Sequence, residues 1–477
     1  MHTPRTPRSR TRGLFLVTIA LGVVGVAGSV GACGEDGASI STSSARSPRA
    51  APLGSAGDAG APPLDPEAIH LVGRLVDDLG APVAGRAILV VDRRARRFET
   101  LTDGAGVFRA KAVAPPYDLA IAPAESATVT APLLYLGLRR PDPRLEIFER
   151  EGPTPRLASQ PITVGVTLPP CRVEAGACWV SVVTASPSGG GATAGSYTTA
   201  ESTTFLVEHS WNGARTLPGE VIDVHVLTGD AGYTEYAYAR VPNVPARPGE
   251  PMDVGMTAPA AVPSSDPITL SAHAPGIAAD WQWTLASWLD LPGNATISLR
   301  YLWASSTSMR VPRLPGATFR AGLWAQHPPN EDRPYYHRSS QAWTGTLPLT
   351  ATNVAIDVPA VIETVRPALE GILSRRGVGL AWDAARPALA GLVVVDLARS
   401  GHLFRAFTSE SEIPPGRLLA LGVPRFEQGD HVLDLTTTPD ATIDDLTQPD
   451  EALRRRRFDE KSPGAATVQR FRFQVTP

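Results

Sequence analysis

Lysine is nearly missing. Of 44 basic residues only Lys111 and Lys461 are lysines, and net charge is −3. No global basic field is available to attract nucleic acid, so that partner class is set aside. Cysteine is scarce too, with Cys33, Cys171 and Cys178 alone in 477 residues. A Gly-x-Ser-x-Gly nucleophile elbow is absent, and no His-x-x-Glu pair suits a zinc peptidase. Serine, histidine and aspartate are scattered rather than grouped as nucleophile, base and orienting acid, so no catalytic residue is assigned. No cofactor motif stands out.

Proline is plentiful instead, 46 residues against an average near 5%. It removes a backbone donor and breaks helix interiors. The longest proline-free stretches past the N-terminal region are 83–114 and 188–217. The first reads as strands and turns, and the second is rich in Ser, Thr and Gly. The chain therefore reads as all-β. Residues 68–477 suit three or four domains of about 100 residues.

The N-terminus has the three parts of an export signal. Arg5, Arg8, Arg10 and Arg12 are followed by the apolar run Leu14–Val26, then by Val30-Gly31-Ala32-Cys33. This ending resembles the lipobox of bacterial lipoproteins. The resemblance implies that residues 1–33 form a signal peptide and that Cys33 is the lipidated N-terminus and membrane anchor. Gly34, where such families place Asp for inner-membrane retention, implies the outer membrane, with the side left open. An uncleaved anchor is the other reading, but the run is short for a span of about 20 residues. Residues 34–67, rich in Ser, Ala, Gly and Pro, have too few bulky apolar residues to fold and read as a disordered tether. Its random-coil reach is about 30–35 Å.

Residues 68–158 carry the clearest fold signal. Gly73-x-Leu75, Gly80-x-Pro82-Val83-x-Gly85, Thr102-Asp103-x-x-Gly106-x-Phe108 and Tyr117-x-Leu119 follow one another. This order closely resembles the carboxypeptidase regulatory-like domain, a transthyretin-like β-sandwich. The resemblance implies turn and core roles for these residues and none in catalysis. Segments 133–138 and 145–148 read as strands that extend the module or bridge outward from it. Residues 159–259 read as a second sandwich and 260–360 as a tryptophan-rich third. Residues 361–477 weakly resemble a fibronectin type III sandwich, with Pro367–Arg376 as one or two helical turns instead. Ile162–Thr167, Met252–Thr257 and Val354–Val358, each stopped by proline, form a weak repeat at Ig-like spacing.

Candidate chemistry is sparse. If Cys33 carries lipid, Cys171 and Cys178 are left to pair across a short loop, as exported compartments favour; two unpaired core thiols are the alternative. His327, Glu331, Asp332 and His337 are metal-ligand types, but their spacing fits no motif and the segment reads as a surface loop, so no metal is assigned. Arg454–Arg457, interleaved with acids, reads as solvated surface. Tryptophans commonly fill sandwich cores. Tyr335 and Tyr336, in a polar loop, are the candidate ligand-contacting aromatics. The chain reads as a cell-envelope lipoprotein of tandem β-sandwiches, transthyretin-like then Ig- and fibronectin-like. Its expected role is structural, adhesive or binding, toward a glycan or another envelope protein. Carbohydrate binding in polysaccharide handling is the second reading, and an enzyme with an unrecognised site the third.

Overall fold

A computed structural model describes residues 67–476, apart from segments 78–79, 123–131, 148–156, 169–176, 188–189, 213–219, 231, 329–335, 362–363, 368–371, 375–378, 384–390, 399–401, 439–440 and 451–463. Cys33, Cys171, Tyr335, Glu331, Asp332 and the arginine run at 454–457 lie outside the described residues.

The strands fall into four groups, of which three repeat one topology and the fourth varies it. The first sandwich contains β1 (Ile69–Asp77), β2 (Ala87–Asp92), β3 (Arg97–Leu101), β4 (Val107–Val113), β5 (Tyr117–Ile121), β6 (Leu133–Leu138) and β7 (Arg144–Ile147). Its small sheet runs β4-β1-β7, with β7 parallel to β1, and its large sheet runs β3-β2-β5-β6. The alternation read in the sequence is the cause. Leu71 and Leu75 point inward from β1 and meet Ile88, Val90, Tyr117 and Leu119 from the facing sheet. The 133–138 segment is the sixth strand and residues 145–147 lie in the seventh, so they complete this sandwich.

The second sandwich contains β8 (Leu157–Thr167), β9 (Cys178–Ala185), β10 (Gly191–Thr198), β11 (Ser202–Asn212), β12 (Val221–Gly229), β13 (Tyr236–Pro245), β14 (Met252–Thr257) and β15 (Ala260–Val262). Its order is β14-β8-β11 and β10-β9-β12-β13-β15, and the two parts touch through the single register pair Gly191–Ser210. Position for position this is the first sandwich again, with β15 added. The third contains β16 (Ile268–His273), β17 (Gln282–Asp290), β18 (Thr296–Leu302), β19 (Ser306–Met309), β20 (Thr318–Gln326), β21 (His337–Trp343) and β22 (Asn353–Asp357). Its sheets, β19-β16-β22 and β18-β17-β20-β21, repeat the pattern without change. The weak sequence repeat acquires a structural meaning. Ile162–Thr167 lies in the first-position strand β8, Met252–Thr257 is its parallel seventh-position partner β14, and Val354–Asp357 lies in β22, the seventh strand of the third sandwich.

The fourth group varies the theme. It contains β23 (Thr364–Arg366), β24 (Ile372–Ser374), β25 (Leu380–Trp382), β26 (Leu392–Ala398), β27 (His402–Thr408), β28 (Glu412–Ile413), helix α1 (Pro415–Ala420), β29 (Gly429–Thr438), helix α2 (Ile443–Leu446) and β30 (Gly464–Thr476). Its large sheet is β27-β26-β29-β30, and β23 takes the seventh-strand place beside β25, but antiparallel. Within the segment Pro367–Arg376, read as one or two helical turns, the described residues Ile372–Ser374 form the strand β24, parallel to β30.

The large sheets of three sandwiches join edge to edge. β21 pairs antiparallel with β30, and β27 pairs parallel with β6. One thirteen-stranded sheet results, running from the third sandwich through the fourth to the first. Its two faces are covered unequally. On one face lie the small sheets of the third and fourth sandwiches, whose cores include Leu285 and Leu323, then Val395, Phe404 and Phe471. On the other, the small sheet of the first sandwich covers Tyr135, Leu392, Val394 and Phe407. The second sandwich packs Trp179, Leu227, Tyr233 and Tyr236 against the core of the third.

Within the first sandwich the motif residues hold turns and core. Gly106 has φ +72°, and an added Cβ would lie 2.4 Å from the Leu75 carbonyl oxygen. Phe108 is buried, its ring lying on the bare backbone of Gly73. The Asp103 carboxylate accepts from the amides of Ala105 and Val107, each at 2.9 Å. We expect Phe108→Ala to cost about 3–5 kcal/mol in chemical denaturation followed by circular dichroism. Gly106→Val should also destabilise through backbone strain. An unshifted midpoint for either variant would contradict these packing roles.

Candidate functional site

The exposed part of the long sheet is the candidate ligand-binding face. Strand register places its side chains without ambiguity. Tyr301, Ala286, Gly322, Trp343 and Gly464 are successive direct neighbours across β18, β17, β20, β21 and β30. Direct neighbours share a face, so this row points away from the core. Trp288 pairs with Arg320 in the next row, and Thr284, Trp324 and Gln341 form another.

Two glycines let the rings lie close. A Cβ at Gly322 would fall 2.9 Å from Trp324 and 3.1 Å from Trp288, so both indoles lean over its bare backbone. A Cβ at Gly464 would fall 2.5 Å from the Trp343 ring. Trp288 and Trp324 meet edge to face, with centroids 5.6 Å apart and planes at 77°. The Trp324 indole N–H donates to the Gln341 side-chain oxygen at 2.6 Å. At the β18 edge Tyr301 and Trp303 also meet edge to face at 6.3 Å, and they are 52% and 75% exposed.

Beneath this cluster sits a buried ion pair. The Arg320 guanidinium donates to both Asp290 carboxylate oxygens, at 2.5 and 2.9 Å, and lies 5.6 Å from the Trp288 ring centre. Thr296 donates its hydroxyl to the same carboxylate at 2.7 Å. The cation therefore fixes the tryptophan while its charge is neutralised from the other side.

Toward the fourth sandwich the face becomes a row of charge. Arg405, Asp396, Asp434, Arg470 and His337 are successive cross-strand neighbours. Arg405 grips Asp396 with two bonds at 2.6 and 3.0 Å, and Arg470 grips Asp434 at 2.6 and 2.7 Å. The two carboxylates stand directly opposite each other, and the flanking arginines offset that repulsion. Hydrogen bonding to Asp434 raises the pKa of Arg470. Burial, and then the Arg470 charge, lower that of His337.

The residues singled out in the sequence are dispersed. Tyr336 is half-buried against the fourth sandwich's core and stands edge-on to His327 at 5.7 Å. His327 also meets Trp281 at 5.8 Å, and its Nδ1 contacts the Pro328 carbonyl at 2.8 Å. His337, by contrast, belongs to the charge row. Among the described residues no three His, Cys, Asp or Glu side chains group as metal ligands. Cys178 is buried at the start of β9. Trp179, Trp211, Trp281 and Trp382 are buried in cores and Trp283 packs against one, whereas Trp288, Trp303, Trp324 and Trp343 occupy the open face. A periodic signal for the outward group exists in Gly322-x-Trp324 and Thr284-x-Ala286-x-Trp288.

No family model matches the sequence. A search of curated proteins also finds no match. Among solved structures the chain is similar to the Bacillus anthracis TIE protein at 8% identity and TM-score 0.15, covering 61% of this chain and 50% of that one. Two B repeat units of the Staphylococcus aureus collagen binding protein align at 9% identity and TM-score 0.13, over 72% of this chain and 85% of theirs. BcpA, the major pilin subunit of Bacillus cereus, aligns at 8% and 0.14, over 61% and 99%. The chain thus spans half the length of the first of these. Scores this low carry no functional argument, and the all-β sandwich class is read from this chain's own sheets.

The ion pair makes the platform testable. Arg320→Ala leaves Asp290 charged and buried, and such a loss costs about 3–5 kcal/mol. Replacing both, as Arg320→Met with Asp290→Leu, should cost less. Equal losses for the single and double variants would contradict the pairing.

Proposed function

We propose that this protein is a non-catalytic cell-envelope lipoprotein, in which linked β-sandwiches form a rigid support for a binding or adhesive face. One observation carries the reading: three sandwiches share a single sheet, and that sheet leaves a broad side-chain face open. Such a construction favours presentation of a surface over domain motion. Non-catalysis is supported by the state of the charged groups on that face. Asp290, Asp396 and Asp434 are each held by a doubly bonded arginine. A general base must reach the proton it takes from a nucleophile, and these carboxylates face arginines instead.

Envelope location rests on the leader and on Val30–Cys33. Among the described residues no helix is long and apolar enough to cross a membrane; the proposed attachment, lipid at Cys33, rests on the Val30–Cys33 motif. The carboxypeptidase regulatory-like reading of the first sandwich rests on its motif, whose residues have turn and core positions.

Cys33→Ala should move the protein from the membrane fraction to the soluble envelope fraction and change its mobility. Retention in the membrane pellet with unchanged mobility would refute the lipid anchor. We further propose a Cys171–Cys178 disulfide. Mass mapping without reductant should recover the linked peptides, and free thiols at both positions would refute it. The short loop makes the gain modest, on the order of 2 kcal/mol.

A further inference from the structure

Four strands of the third sandwich turn an unusual set of side chains away from the core; Thr284, Ala286, Asp290 and Arg320 are buried within it, and Gln282, Ser298, Tyr301 and Gln326 are exposed. Outward from β17 point Gln282, Thr284, Ala286, Trp288 and Asp290. From β20 come Thr318, Arg320, Gly322, Trp324 and Gln326, and from β21 His337, Ser339, Gln341 and Trp343. Thr296, Ser298 and Tyr301 complete the face from β18, with Trp303 just beyond its end. Aromatic, small and polar residues are all present. Leucine, isoleucine, valine and methionine are missing from the set. On the opposite side of the same strands Leu285, Leu289, Ile297, Leu299 and Leu323 fill the core. The aliphatic residues are sorted to one side, so the outer tryptophans are not spare hydrophobic packing.

We propose that this face binds a neutral, extended glycan, a β-1,4-linked chain of pyranoses whose rings lie on the aromatic side chains. The proposal rests on the binding-face reading above and names its ligand class. Three properties lead to it. First, a pyranose with equatorial substituents offers a flat patch of C–H groups above and below the ring and hydroxyls around its rim. That patch suits the negative face of an aromatic ring, and the rim suits amides and hydroxyls such as Gln282, Ser298 and Gln326. A protein partner is served best by aromatic anchors surrounded by other contacts that exclude water, and no aliphatic surround exists here. Second, among the described residues of the cluster the ions are Arg320 and Asp290, which neutralise each other while buried, and this favours an uncharged ligand over an acidic one. Third, Tyr301 and Trp343 stand three strands apart, about 14 Å by strand spacing. That band exceeds one sugar ring and suits a short run of a ribbon-like chain. Tyr301 and Trp303, the most exposed rings of the group, lie at the sheet edge where such a chain would enter or leave.

The test uses the full-length protein purified in a detergent that carries no sugar. Cellohexaose and chitohexaose serve as β-1,4-linked probes, with maltohexaose as an α-1,4-linked control. Binding is read by tryptophan fluorescence and by calorimetry. At least one β-1,4 probe should bind, and maltohexaose should bind more weakly. Tyr301→Ala and Trp303→Ala should each weaken binding by about tenfold, the scale of one lost aromatic contact. Their unfolding midpoints should be unchanged, because both side chains are exposed. Failure of both probes to bind, equal binding of the variants, or preference for maltohexaose overturns the proposal. Self-association of the protein that Trp303→Ala abolishes also overturns it, since the face would then be a protein interface. The glycan claim and the lipoprotein claim fail separately: loss of sugar binding leaves the Cys33 fractionation result untouched, and the reverse holds.

Discussion

Backbone hydrogen bonding at sheet edges is the constraint on which the rest of this molecule depends. A sandwich of this topology ends its large sheet in open edge strands, and open edges invite unwanted pairing. Here β30 closes the edge of β21, and β6 closes the edge of β27. The fourth sandwich is thereby enclosed on both sides, by the third and by the first. Closure of the first onto the fourth joins distant segments of the chain, Leu133–Leu136 with Arg405–Thr408. It is reinforced by Arg417, which donates to the two Asp118 oxygens at 2.6 and 2.7 Å and to Glu410 at 3.0 Å. Tyr135 stacks on Phe407 at 5.0 Å across the same seam. Asp118 and Arg417 are nearly buried partners 299 residues apart in sequence, so this seam cannot form until both distant segments are present.

Much of the local architecture was legible because period-two alternation is a direct consequence of pleating. Leu71, Gly73 and Leu75 mark a face of β1, and Gly106 marks a turn that tolerates no Cβ. Proline density argued against long helices, and the two among the described residues, Pro415–Ala420 and Ile443–Leu446, are short. Segments 133–138 and 145–148 were legible as strands, but not as the sixth and seventh members of one sandwich. That assignment depends on β7 returning parallel to β1, a long-range pairing with no local signature. The topology common to the first three groups, and varied in the fourth, was hidden for the same reason. Their loops and side chains differ, while the order of pairing is shared.

The binding face was harder to read, and a single residue explains part of the difficulty. Strict alternation along β18 from buried Ile297 and Leu299 would send Tyr301 inward as well. A register irregularity between the Trp288–Ser298 and Ser287–Arg300 pairs shifts the phase, so Tyr301 lies outward beside Ala286. One extra residue in a strand exchanges its faces from that point on. Tyr336 illustrates the opposite difficulty. A polar neighbourhood in sequence suggested an accessible ring, yet the turn into β21 seats it between His327 and the core of the fourth sandwich. Polarity of neighbours reports on the loop as a whole, and not on the direction of one side chain within it.

Sheet continuity bears directly on what the open face can do. Trp288, Trp324 and Trp343 stand on three strands whose spacing is fixed by backbone pairing on both sides, and β21 is held by β30 as well as by β20. Gly322 and Gly464 set the height of the rings by bringing them down onto bare backbone. Arg320 and Gln341 then limit how Trp288 and Trp324 can turn. Little freedom remains to be lost when a ligand arrives, so the entropic cost of ordering the site has been met largely during folding. The same rigidity limits specificity by induced fit. Selection among ligands must come from the shape of the row itself, from ring spacing along the strands and the polar groups at its margins. A flat, preformed face of this kind discriminates by linkage geometry more readily than by any single substituent.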